Sequence, residues 1–251
     1  MRIVIALAAW VALLAAPARA EQVVTARYAD PVERYGHFAL GRPHEYARLV
    51  ARTDAGREAT LDLPAEDVFE DLAPRVVRLT PGGPPALLVI VSNRDSGARL
   101  ALVGMTAGRL AMLAQSAPIG VAHRWLNPVG VADLDGDGVA EIAAVTTPHI
   151  GGVLRVYRRS GETLAQIASL DGFSNHVYGA TELGLSTPTR MGGRMQLLVP
   201  DAQRASVRAI ALHGDALQET GRCRLSAPIT RPDTLRDCEA RLGGTSAAPG
   251  R

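Results

Sequence analysis

The stretch Asn127–Val145, "NPVGVADLDGDGVAEIAAV", sets an acidic, glycine-containing segment between two apolar runs. The runs alternate or are continuous over a few residues, and Gly, Pro and Asp bound them. That is strand and turn chemistry rather than a 3.6-residue helical pattern. Two similar stretches lie one period away on either side: "PRVVRLTPGGPPALLVIV" from Pro74 and "TELGLSTPTRMGGRMQLLV" from Thr181. Val77, Val131 and Leu185 are 54 residues apart, as are Ile90, Ala144 and Leu198, and Leu102, Val156 and Ile210. Leu110, Leu164 and Leu217 follow at 54 and 53. One interval shared by four sets of apolar positions is a structural repeat.

Each unit continues into an alternating run ("ARLALVG", "GVLRVYR", "SVRAIAL"), then a turn and a further run such as "GRLAMLA" or "ETLAQIA". Three to four strands therefore fit in each unit. A degenerate earlier copy begins at Ala47, where "ARLVARTDAGREATL" resembles "ARLALVGMTAGRLAML" from Ala98. The expectation is an all-β chain with a degenerate unit over 21–68 and repeats over 69–230. About four four-stranded blades would form a β-propeller-like array, with a β-sandwich or an incomplete propeller as the alternative. The small, polar, Gly- and Pro-rich end, 231–251, reads as a flexible tail.

Within the acidic segment, Asp133, Asp135 and Asp137 stand at alternate positions, followed by Glu141. Oxygens at positions 1, 3 and 5 converge when the chain wraps tightly, and Gly136 and Gly138 permit that wrapping. The Val139 carbonyl at position 7 and the Glu141 carboxylate at position 9 complete a set of hard oxygen ligands suited to Ca²⁺. A solvated acidic turn without an ion and a pair of catalytic carboxylates are the rival readings. An EF-hand needs a Glu at position 12 between helices; Ala144 stands there, inside a strand-like run.

The loop resembles the calcium loops of FG-GAP (VCBS-type) repeats, the blades of integrin-α-like propellers, with Glu141 in place of the usual last Asp. "RWLNPVGVADLDGDGVAEIA" is similar to a well-kept blade of small exported bacterial VCBS-repeat proteins, and "VFEDLAPRVVRL" to the start of the preceding one. The resemblance spans about residues 25–225, and it implies adhesion-like or assembly roles. Only one unit carries the motif. One period earlier stand Leu79, Pro81, Gly83, Pro85 and Leu87, and one period later Thr187, Thr189, Met191, Gly193 and Met195, none a carboxylate. One calcium site and two vestigial turns are expected.

The opening "MRIVIALAAWVALLAAPARA" reads as a secretory signal peptide over 1–20, ending on a small-x-small cleavage site. The mature chain is then periplasmic or secreted, with no transmembrane segment. All 27 basic residues are arginine; without Arg2 and Arg19 they balance the 25 acidic ones, and no basic patch suits nucleic acid. Cys223 and Cys238 in an exported chain read as a disulfide.

No nucleophile elbow, P-loop, dinucleotide fingerprint or complete zinc-protease motif is present, so no catalytic or cofactor-binding residue is expected. The six histidines show no ligand spacing, although His123 beside Trp125 and Asn175-His176 could line a shared face. Trp125 reads as a packing wedge between units, and Glu70 and Asp71 as turn caps. The function expected is a non-enzymatic, calcium-binding module that binds or scaffolds an unknown protein or glycan in the bacterial envelope. An exported hydrolase or lyase, or a purely structural calcium-stabilised protein, is the alternative.

Overall fold

The computed structural model describes residues 20–244; the expected leader, apart from Ala20, and residues 245–251 lie outside the described residues. Sixteen strands and one helix make up the described chain. The first unit holds β1 (Val23–Pro31), β2 (Tyr46–Thr53), β3 (Glu58–Asp62) and β4 (Asp67–Phe69). Three antiparallel meanders follow. They are β5 (Arg75–Val77) to β8 (Arg109–Gln115) through β6 (Ala86–Asn93) and β7 (Gly97–Thr106), then β9 (Leu126–Ala132) to β12 (Thr163–Asp171) through β10 (Glu141–Thr146) and β11 (Val153–Ser160). The last runs from β13 (Thr187–Met191) to β16 (Ala216–Arg224) through β14 (Arg194–Pro200) and β15 (Ser206–His213), and is followed by α1 (Pro232–Gly244).

The 54-residue interval is visible in the backbone itself. The third and fourth strands of each meander carry a β-bulge at the same point: between Leu102 and Val103, between Val156 and Tyr157, and between Ala209 and Ile210. A bulge increases local twist and bends its strand, so its recurrence marks one supersecondary unit used three times. Two of the hairpins turn on adjacent residues that both have positive φ, Ala107–Gly108 and Gly192–Gly193. Such turns match the twist of the flanking strands.

The first three units form one curled, mixed sheet of twelve strands, in which β4 joins β2 to β6 and a single parallel bridge, Thr163 to Gln115, joins β12 to β8. The last meander is a separate four-stranded sheet. The continuous apolar runs have a physical reason: their strands are buried on both faces. On β6, Leu87, Val89 and Val91 face the first unit, while Leu88 and Ile90 face the third. On β10, Ile142 and Ala144 face the second unit, while Ala143 and Val145 face the last. Close approach continues at the inner strands: a Cβ on Gly130 would stand 2.6 Å from Cδ of Pro188.

The remaining face of the last sheet, with Leu198, Val207 and Ala209, is covered by α1 through Leu235 and Cys238. This departs from the expected flexible tail. Leu235, Cys238 and Leu242 recur at helical spacing, Pro232 suits a first helical turn, and the Cys223–Cys238 disulfide staples the helix to β16. No described helix is long and apolar enough to cross a membrane.

Candidate functional site

The acidic loop leaves β9 at Ala132 and rejoins the sheet at Glu141, which pairs with Ala132. Strands flank it on both sides, so the EF-hand stays excluded. Its aspartates first organise the backbone. Asp133 accepts the N–H of Gly136 at 2.7 Å and of Gly138 at 3.1 Å, Asp135 accepts that of Asp137 at 3.2 Å, and Asp137 accepts that of Val139 at 2.7 Å. Gly136 and Gly138 take φ of 85° and 87°, the left-handed wrapping that their lack of a side chain allows.

Asp133, Asp135 and Glu141 each bring a carboxylate oxygen within 4.8 Å of the others. Oxygens about 2.4 Å from one Ca²⁺ lie at most about 4.8 Å apart, so this trio could grip a single ion. The metal itself is not identified by that spacing. Asp137 and Val139 share the loop but stand outside the gathered trio. Asp137 spends one oxygen on the Val139 N–H, and Val139 lines a cavity of about 550 Å³ beside Leu79 and Met105.

A residue that sequence spacing does not disclose completes the site. Arg158, on the neighbouring strand β11, donates from Nε and Nη2 to Glu141 Oε1 at 2.9 and 2.6 Å, and from Nη2 to Asp135 Oδ2 at 2.5 Å. These two carboxylates hold the guanidinium above its ordinary pKa. The Glu141 side chain is fully buried, and its second oxygen accepts the Leu134 N–H at 2.9 Å. Three carboxylates, Asp135, Asp137 and Glu141, thus lie within 4.0 Å of one guanidinium, and Asp133 adds a fourth to the loop. A cation entering here takes up charge that Arg158 leaves uncompensated and shares two ligands with it. The one available signal was an arginine on the strand paired with β10.

At the opposite end of β10 the chain gathers four of the six histidines. His37, His123, His149 and His176 lie within one set of ring contacts that includes Trp125, Tyr35 and Tyr178. Trp125 is buried between the second and third units, as a wedge should be, and its indole N–H also donates to the Glu70 carbonyl at 2.9 Å. Glu70 does more than cap a turn. Its buried carboxylate accepts the Ser92 hydroxyl at 2.6 Å and stands 2.9 Å from His37 Nδ1, with the ring turned off the line of a straight hydrogen bond. Asp71 is buried in an ion pair with Arg75. Asn127 and Asn175 exchange amide-to-carbonyl bonds at 3.2 Å, tying β9 to the segment that carries His176. His44 and His213 contact Tyr46 and Arg194 instead. Compared with known proteins, the chain matches no family model and no curated protein.

Proposed function

We propose that the mature chain is an exported, calcium-binding β-repeat module that binds or scaffolds a protein or glycan partner in the bacterial envelope. The observation that carries the ion is the convergence of Asp133, Asp135 and Glu141 on one point, at a bend between two strands. Hard oxygen donors in a glycine-wrapped loop favour Ca²⁺ over softer metals. The array is read as an incomplete propeller of four blade-like units. The recurring bulge and the face-to-face succession of cores support that reading, and α1 occupies the last sheet's outer face, where a further blade would pack. Export is supported by the leader-like first twenty residues and by a disulfide of the kind kept in oxidising compartments. The resemblance to FG-GAP repeats supports a binding role, although fold alone does not assign one.

Calcium titration followed by thermal melting tests the ion. The melting temperature is expected to rise with Ca²⁺ and then to saturate, and Asp133→Asn and Asp135→Asn should each blunt the rise. No stabilisation at millimolar Ca²⁺ removes the site.

The gathered histidines favour a second reading, an exported hydrolase or lyase. Against it, no Ser, Thr or Cys side chain hydrogen-bonds an imidazole nitrogen among the described residues, so no activated nucleophile supports it. Turnover of a glycan by the purified chain, lost in His149→Phe, would establish that reading over the first.

A further inference from the structure

Four connections meet at the end of the array opposite the acidic loop. They enclose a cavity of about 210 Å³ whose walls include His37, His123, Trp125, His149, Ile150 and Tyr178. The backbone there is held in an uncommon state: Phe38, His123 and Thr147 have φ of 52°, 53° and 50°, which costs most for a β-branched residue such as Thr147. Beneath the cavity lie two buried carboxylates. Glu45 accepts the N–H groups of Gly36, His37 and Phe38 at 2.9–3.1 Å, and Glu70 accepts that of Ala39 at 3.2 Å. Burying charge is costly, and a loop that only links strands does not need it.

The proton positions follow from the partners. A carbonyl can only accept, so His176 donates from Nε2 to Ala180 O at 2.9 Å. Burial keeps His176 neutral, and its Nδ1 is therefore a lone pair. His149 Nε2, 2.8 Å from that nitrogen, must be the donor, which leaves a lone pair on His149 Nδ1. His123 donates from Nε2 to Tyr35 O at 3.1 Å, so its neutral ring carries the lone pair on Nδ1. His37 turns Nδ1 to Glu70, leaving Nε2. None of the three leftover nitrogens has a hydrogen-bond partner among the described residues, and all three rings line one cavity.

Such a pocket wants donors. Arg124 on its wall disfavours an ammonium ligand. An apolar ring would leave the nitrogens unpaired. The three nitrogens do not form a metal-type group either, because the only such group among the described residues is the carboxylate trio. The size, below the roughly 300 Å³ at which drug-sized pockets begin, suits one ring. Tyr178 and Ile150, 57% and 61% exposed, offer apolar surface at the mouth.

We propose that this pocket binds one hydroxyl-rich ring, a terminal sugar unit, whose hydroxyls donate to His123 Nδ1 and His149 Nδ1 while its C–H face rests on Tyr178 and Ile150. It deepens the partner named above to a glycan end, and it does not depend on calcium.

The test uses the mature chain labelled with ¹⁵N-histidine, read by long-range ¹⁵N–¹H correlation with a calcium chelator present. His123, His149 and His176 should each appear as the Nε2–H tautomer. Neutral hexoses and N-acetylhexosamines are added singly at millimolar concentration, then as oligosaccharides. At least one should shift Nδ1 of His123 and His149 while His44 and His213 stay in place, and its oligosaccharide should bind no more weakly, which marks a glycan end over a free sugar. His123→Phe, which also gives up the bond to Tyr35 O, should weaken binding about tenfold while the signals of His149 and His176 keep their folded positions. The proposal is overturned by no shift across the whole sugar set, by a shift that survives in His123→Phe and His149→Phe alike, or by a response to zinc chloride alone.

Discussion

Strand β10 has a candidate site at each end, and the two are built differently. At Glu141 the ligands come from one loop, with each aspartate holding the backbone that presents the next. At Thr146, roughly 17 Å away along the strand, the groups come from separate units; Tyr178 donates to the carbonyl of His37 at 2.8 Å across 141 residues of chain. The first site is encoded in a motif and stays local. The second is encoded in topology, because it exists only where successive units bring their connections to the same end.

The largest effect expected from breaking this contrast is at Trp125, which fills the core between the second and third units. Trp125→Ala should cost about 3–5 kcal/mol by urea unfolding. It should also disturb the histidine signals while the response to calcium persists. Loss of the calcium response together with the pocket would show that the two ends act as one cooperative unit.

The contrast also explains what the sequence disclosed. The strands and their grouping were legible because two-face burial writes continuous apolar runs at a fixed interval, as in Leu87–Val91 and Ile142–Val145. The carboxylate trio was legible because its members sit within nine residues. Arg158 was not, since a partner on the adjacent strand is defined by register rather than spacing. The histidines show no ligand spacing for the same reason: the sequence marks only His123 beside Trp125 and Asn175-His176 as residues that could line a shared face, while His37 and His149 look like lone loop residues. Helix α1 was hidden by its charge, although Leu235, Cys238 and Leu242 carry the helical stripe.

Two smaller effects sharpen the local side. Reducing Cys223–Cys238, or Cys238→Ser, frees α1 from β16; with the cysteines 15 positions apart the loss should be about 3 kcal/mol by chemical denaturation. Calcium stabilisation should survive it. Arg158→Met leaves the buried Glu141 carboxylate with only the Leu134 N–H. Without calcium this should cost about 1–3 kcal/mol, and calcium should recover more stability in the variant than in the parent. An equal calcium response in both proteins would mean that ion and guanidinium do not share these carboxylates.

The gentlest test separates the ends by pH. Burial, then the neighbouring His176, His37 and Arg204, push His149 from 6.5 down to about 3, and burial lowers His176 in the same direction. The unfolded chain therefore binds more protons than the folded one between these values. The stability these neutral rings contribute is complete above about pH 6.5 and drains as the pH falls toward 3. Each ring gives a slope of about 1.4 kcal/mol per pH unit. Glu219, held by Arg222 below its ordinary 4.5, acts only lower on the scale, and Asp71, raised by burial, works in the opposite sense equally in parent and variant, so the difference between the two from 6.5 to 4.5 belongs to the pocket. Melting curves across that interval should be steeper for the parent than for His149→Phe. The slope should be unaltered in Asp135→Asn, whose carboxylate lies at the other end of the strand. Equal slopes in the parent and His149→Phe would mean that His149 takes a proton in the folded chain as readily as in the unfolded one, and the tautomer relay to Ala180 would not hold.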